Sequence, residues 1–311
     1  MLALLFPGQG AQSEGFLHRL PSHPVVDATI EEASDALSLD VRALDSSDAL
    51  RSSVAVQIAM LAAGVATTRR LADAGIECAL TAGLSVGAYA AAVTCGALAF
   101  GDALRMVRRR GELMERAYPS GYGMSAIDGL TEHRVEALAD ELWRDAATRV
   151  YIGNVNAPRQ IVVAGSDAAL AAFNARALAA GAHRAIRLAM GVPSHCELLA
   201  KASDELLAYA ADVPFRAPRG LYFGNRSARA LRTADAIRDD LATNMRYTVR
   251  WFDALSAIVE HGATLFVEAP PGQVLTHIAR AAYPDVPALA ASALADDRLA
   301  ETVRRRLDLA A

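Results

Sequence analysis

Apolar and polar positions along the chain alternate between two rhythms. Leu2 to Phe6 is a short unbroken apolar run that meets Pro7-Gly8-Gln9-Gly10, the pattern of a buried strand ending in a tight loop. A long helical pattern covers roughly 52–74, a second strand is expected over Cys78 to Leu84, and helices follow over 86–94 and 102–117. Between about 123 and 188 the spacing changes. Strand patterns at 124–128, 150–155, 160–164 and 183–188 flank helical patterns at 132–146 and 167–180, giving the order βαββαβ of a ferredoxin-like unit. Beyond Gly191 the first rhythm resumes: a helix from His195, a strand at 221–223, helices over 234–244 and 251–261, and a strand at 264–268. Residues 206–220 and 292–311 carry no clear pattern.

The reading is therefore an α/β protein with a mostly parallel sheet, into which a small domain is inserted. The expected division places 1–122 and 190–311 in one discontinuous large domain and 123–189 in the small one.

Composition narrows the function classes. Alanine dominates the apolar residues, and 30 of the 31 basic residues are arginine, Lys201 being the one lysine. Such a bias makes any single arginine cluster a weaker signal. The net charge of −4 and the lack of a basic stripe argue against nucleic-acid binding. Cys78, Cys95 and Cys196 are odd in number and lack CxxC spacing, so neither a disulfide framework nor a metal site is expected, and a cytoplasmic setting fits. The first residues do not read as a signal peptide, and no apolar stretch is long enough for a membrane span.

Gly83-Leu84-Ser85-Val86-Gly87 is a GxSxG sequence between an expected strand and an expected helix. A sharp turn there lifts the serine hydroxyl out of the chain, with glycines permitting the backbone to bend. The Val86 N–H would then point at a developing oxyanion. The bare pattern arises by chance in roughly one chain in ten of this length, so its context carries the weight. The alternative is a glycine-rich turn packing a helix on a sheet.

A serine nucleophile needs a base, and seven histidines are present. His18, His23 and His133 lie in polar sequence; His183, His261 and His277 fall in or beside regular elements. His195 differs. Ser194-His195-Cys196-Glu197 has capping-box spacing after Pro193, which would place His195 in the first turn of a helix. The helix dipole would there keep the imidazole neutral and able to accept a proton.

Arg108, Arg109 and Arg110 separate at 100° per residue. Around Arg110 cluster Ala103, Met106, Val107, Leu113, Met114 and Ala117, so its guanidinium is expected at the centre of a buried stripe. Either an internal Asp or Glu pairs with it or a ligand carboxylate does.

Four segments in order resemble the malonyl-CoA:acyl carrier protein transacylase family: residues 6–12 (FPGQGAQ), 83–87 (GLSVG), 110–114 (RGELM) and 192–196 (VPSHC), with weaker matches at 156–160 and 271–275. The resemblance implies a hydrolase-like large domain with a ferredoxin-like insertion. It implies Ser85 as nucleophile, His195 as base, an oxyanion hole from the N–H groups of Gln9 and Val86, and Arg110 as the grip on a malonyl carboxylate. It further implies that a main-chain carbonyl, at Asn244, orients the histidine. Malonyl-CoA would be the substrate, a phosphopantetheine-type thiol on a carrier protein the acceptor, and no group would be permanently bound. Leu84 and Ala88 depart from the fatty-acid-synthesis pattern, where histidine and a polar residue are usual. Together with 117–124 and 268–272 they are similar to the epsilon subunit of malonate decarboxylase. The competing readings are a fatty-acid or polyketide transacylase, an esterase or thioesterase using a late histidine such as His277, and a docking subunit without catalysis.

Overall fold

The computed structural model describes residues 1–294 and 298–308. In chain order the strands are β1 (Leu2–Phe6), β2 (Leu80–Gly83), β3 (Tyr122–Asp128), β4 (Val150–Ala157), β5 (Gln160–Ser166), β6 (Arg184–Arg187), β7 (Leu221–Phe223), β8 (Ala230–Leu231), β9 (Leu265–Glu268) and β10 (Ala288–Ala290). The helices are α1 (Pro24–Leu37), α2 (Ser53–Asp73), α3 (Gly87–Thr94), α4 (Phe100–Ala117), α5 (Glu132–Ala146), α6 (Asp167–Ala179), α7 (Ala200–Ala210), α8 (Ala234–Thr243), α9 (Trp251–Glu260), α10 (Val274–Ala282) and α11 (Arg298–Asp308).

β1, β2 and β9 are buried at every position, which is why they read as apolar runs without alternation. They form the middle of a six-stranded sheet in the order β10-β9-β1-β2-β7-β8, parallel except for the last pair. The loops at the carboxyl ends of β1, β2 and β7 consequently converge, the usual place for a site in an open α/β sheet. The fold class is thus α/β, with a second sheet of order β4-β5-β3-β6, antiparallel throughout, carrying α5 and α6. That order is the ferredoxin-like one expected from the pattern.

Helix α2 is buried almost all round, consistent with its alanine-rich sequence. Its start is fixed from α4, where Glu115 accepts from the Ser52 hydroxyl at 2.9 Å and the Val54 N–H at 3.2 Å. Gly111 lets α4 lie close: a Cβ there would sit 2.8 Å from Val54 Cα.

Several expectations shift. The strand read over 78–84 is shorter, because pairing with β1 spans only Leu80–Gly83. Helix α1, with His23 capping its first turn, had no counterpart in the pattern reading. Part of the region without a pattern is helical, since α7 runs to Ala210 and α11 buries Leu299 and Val303. Among the described residues no helix is long and apolar enough to cross a membrane.

The two sheets are stitched together beside the site. Val249 donates to the Gly153 carbonyl at 2.8 Å and accepts from Val155 at 2.9 Å. The segment just after α8, residues 244–249, is thereby fixed against β4.

Candidate active site

Ser85 occupies the turn between β2 and α3 with φ 58°, in the left-handed region that non-glycine residues seldom enter. The flanking glycines are needed for close approach. A Cβ on Gly83 would run into the backbone of Gly87, and one on Gly87 into the Phe6 and Pro7 carbonyls. Gly8 is packed against the same turn, where a Cβ would lie 2.6 Å from Leu84 Cδ2. The loop after β1 therefore rests directly on the Ser85 turn, and Gln9 joins Ser85 in the wall of one cavity of about 420 Å³. Among the described residues neither the Gln9 nor the Val86 N–H has a hydrogen-bond partner.

His195 lies 2.7 Å from Ser85 Oγ through Nε2, and its Nδ1 is 2.7 Å from the Asn244 carbonyl oxygen. Because a carbonyl only accepts, Nδ1 carries the proton and Nε2 faces the hydroxyl as an acceptor. The capping-box expectation for this segment fails. His195 has φ 65° and precedes any helix; a 3-10 turn begins at Glu197 and α7 at Ala200. The Ser194 hydroxyl is buried without a partner, so it caps nothing. The loop is held from afar, by donation of the His195 N–H to the Met245 carbonyl at 2.7 Å. Neutrality of the imidazole accordingly comes from burial first and the Arg110 charge second, which together push its pKa down to about 3. The hydrogen bond to Asn244 opposes this shift.

Arg110 is 1% exposed on the apolar face of α4, as its position in the stripe predicts, although Ala117 at the helix end is exposed. Among the described residues no Asp or Glu pairs with it, so the internal ion pair is absent. Its guanidinium donates instead to Gln57 Oε1 at 2.6 Å, to Ser85 Oγ at 3.1 Å and to Asn244 Oδ1 at 3.4 Å, while Nε has no partner. Burial lowers its pKa from the ordinary arginine value, yet an arginine keeps its proton in proteins. The result is a desolvated cation facing the cavity with only neutral acceptors.

The structure thus gathers Ser85, His195, Arg110 and Gln9 in the wall of one cavity, with Asn244 hydrogen-bonded to His195 and Arg110 and Val86 directly after the serine. His277 is not among them; it is exposed on α10, whose first turn is held by the buried Glu268 carboxylate through Leu275 and Thr276. A hydroxyl beside a neutral imidazole, unpartnered N–H groups and a waiting cation suit acyl transfer to and from an acid-bearing acyl group.

Sequence comparison agrees with that chemistry. The pattern of the acyl transferase domain matches residues 3–308. The chain belongs to the acyl transferase family. This acyl transferase is 37% identical over 284 residues to the malonyl CoA-acyl carrier protein transacylase of Salmonella typhimurium, covering 89% of this chain and 91% of that protein. It is 33% identical over 300 residues to the Haemophilus influenzae protein of the same name, covering 94% and 96%. Among solved structures, the Coxiella burnetii malonyl CoA-acyl carrier protein transacylase superposes with a TM-score of 0.93 at 32% identity, covering 98% of this chain and 97% of that one. A malonyl-transacylase solved in complex with its type II PKS acyl carrier protein superposes with a TM-score of 0.89 at 36% identity, covering 94% and 96%.

Two site residues escaped the sequence reading. Gln57 is a lone amide within the apolar run of α2, and that break in the run is the signal that marks it. Asn225, after β7, accepts from the Ser85 N–H at 2.8 Å, and nothing in its local sequence marks it.

Proposed function

We propose that this acyl transferase is a malonyltransferase that carries malonyl on Ser85 and passes it from malonyl-CoA to the thiol of an acyl carrier protein. The observation that carries the reading is Arg110: a buried cation without a carboxylate partner, 3.1 Å from the candidate nucleophile. A malonyl thioester carries a carboxylate one methylene away from its reacting carbonyl, so the guanidinium can hold it bidentately while that carbonyl meets Ser85.

In the first half-reaction His195 Nε2 takes the Ser85 hydroxyl proton as Oγ attacks the thioester carbonyl. The N–H groups of Gln9 and Val86 receive the tetrahedral oxyanion. The CoA sulfur then leaves with the proton from His195. In the second half-reaction the carrier thiol gives its proton to His195, attacks the malonyl ester, and returns Ser85 to its hydroxyl form. The Asn244 carbonyl keeps the imidazole in the required tautomer, a role an aspartate plays in many serine enzymes. A malonyl carboxylate on Arg110 would also relieve the charge that depresses His195, making the base stronger when the correct substrate is bound. The division into residues 123–189 and the rest fits this scheme, since strands of the small sheet form one wall of the cavity and loops and helices of the large part form the other.

Incubation with malonyl-CoA should add one malonyl group by intact mass, and Ser85→Ala should remove the adduct. An adduct persisting on Ser85→Ala protein would overturn the assignment.

Within this activity we place the chain as the carrier-loading subunit of malonate decarboxylase. Leu84 supports the placement: it puts an apolar side chain in the cavity wall beside the nucleophile, where fatty-acid-synthesis members usually have histidine. Transfer to a carrier bearing phosphoribosyl-dephospho-CoA should then exceed transfer to a phosphopantetheine carrier. The reverse preference would favour a fatty-acid or polyketide role.

A further inference from the structure

The scheme above gives no part to the buried carboxylate of Asp240. Asp240, on α8, is 6% exposed and makes no ion pair among the described residues. Its oxygens accept from three neutral donors: the Tyr222 hydroxyl at 2.7 Å, the Asn225 N–H at 2.9 Å and the Arg226 N–H at 3.4 Å. Gly224 makes the room, since a Cβ there would lie 3.0 Å from Asp240 Oδ1. Burial raises the Asp240 pKa to about 6, so the ionised form is held at a cost.

Asn225 links this carboxylate to the nucleophile turn. Its main chain is fixed at both ends, the N–H by Asp240 and the carbonyl by the Arg250 N–H at 2.9 Å. Its side chain grips the turn on both sides of Leu84: Oδ1 accepts from the Ser85 N–H at 2.8 Å, and Nδ2 donates to the Gly83 carbonyl at 3.0 Å. A non-glycine residue in the left-handed region persists only where its surroundings over-determine it. The Asn225 amide supplies part of that constraint, and an ionised acceptor holds a donor more firmly than a neutral one.

We propose that Asp240 is a positioning residue for the nucleophile, acting through Asn225 to fix the Ser85 backbone where its hydroxyl meets His195. The proposal rests on reading Ser85 as the nucleophile. It does not depend on which acyl group Ser85 carries.

The test is the rate at which a fluorophosphonate labels Ser85, which reports hydroxyl reactivity whatever the natural substrate. Asp240→Ala should label about tenfold more slowly than wild type, about 1.4 kcal/mol on the barrier. Asp240→Asn should recover to within about threefold, because its amide oxygen still accepts from Asn225 while its NH2 can face the Tyr222 oxygen. Asn225→Ala should be slow as well, and adding Asp240→Ala to it should slow it no further. Labelling of Asp240→Ala at the wild-type rate, or full additivity in the double variant, overturns the proposal. Should Asp240→Ala not fold, Asn225→Ala still decides, since wild-type labelling by that variant overturns it too. Wild-type protein that labels but takes no malonyl would remove the substrate assignment and leave this positioning role standing. Wild-type protein that does not label at Ser85 removes the nucleophile and the positioning role with it.

Discussion

The turn that carries Ser85 and the turn that carries His195 end 2.7 Å apart, and both place a non-glycine residue in the left-handed region, at φ 58° and 65°. They are built in opposite ways. The serine turn carries the means of its close packing in its own sequence: Gly83 leaves room for the backbone of Gly87, and Gly87 for the Phe6 and Pro7 carbonyls. The histidine turn has no such local frame. Its N–H and ring are held by carbonyls of Met245 and Asn244, about fifty positions on, which β4 in turn braces through Val249. Local packing leaves a trace in the sequence as residue spacing. Tertiary bracing leaves none.

The contrast breaks most sharply at Gly87. Gly87→Ala puts a Cβ 2.7 Å from the Pro7 carbonyl oxygen and closer still to that of Phe6, at the root of the loop bearing Gln9. Overpacking of this kind costs about 1–3 kcal/mol or more, and here the strain falls on the site itself. Malonyl-adduct formation should be lost, and the thermal unfolding midpoint should fall by several degrees. Full activity in Gly87→Ala would mean that the turn is not held by close packing.

Removing the imidazole comes next. General-base catalysis contributes on the order of 10²–10⁴-fold, so His195→Ala should slow transfer by that factor. His277→Ala should leave the rate unchanged, because His277 is exposed on α10 and does not touch Ser85. The opposite ranking in a transfer assay would favour the esterase reading.

These two sites also show what was legible. The α/β class, the ferredoxin-like order and the Ser85 turn follow from periodicity and glycine spacing, because each leaves its mark on residues close in sequence. Arg110 was legible for the same reason: its helix displays a buried stripe with one cation at the centre. What was missed depends on contacts between distant segments. His195 stood out, but through a helix start that does not exist. Gln57, rather than an acid, meets Arg110 from α2, and Asn225 reaches Ser85 across 140 positions. The shared lesson concerns His195: its neutral imidazole is set by burial first and by the charge of Arg110 second, neither of which a local motif encodes.

Arg110→Ala sharpens the comparison by removing that charge. Leaving a buried charge without its partner costs about 2–5 kcal/mol, which sets the expected disadvantage of an acetyl thioester in the wild-type site. At about 1.4 kcal/mol per decade this is a malonyl preference of roughly thirtyfold or more. The variant should lose most malonyl transfer and gain acetyl transfer relative to malonyl, measured as competing kcat/KM values. A folded Arg110→Ala protein that kept its malonyl preference would place the source of specificity elsewhere in the cavity.

The smallest effect separates the two origins proposed for the histidine turn. If Ser194 capped a helix containing His195, Ser194→Ala would cost about 0.5–2 kcal/mol, a fall of roughly 1–4 °C in the unfolding midpoint. In the structure Ser194 is 2% exposed and its buried hydroxyl has no partner, so the folded protein already bears the desolvation of an unsatisfied polar group. Alanine removes that group without opening a large void, since a hydroxyl is all that is lost. The midpoint of ligand-free Ser194→Ala should therefore stay within about 1 °C of wild type or rise. A clear fall would restore a capping role for Ser194 and undo the account in which Asn244 and Met245, from a distant segment, hold the base in place.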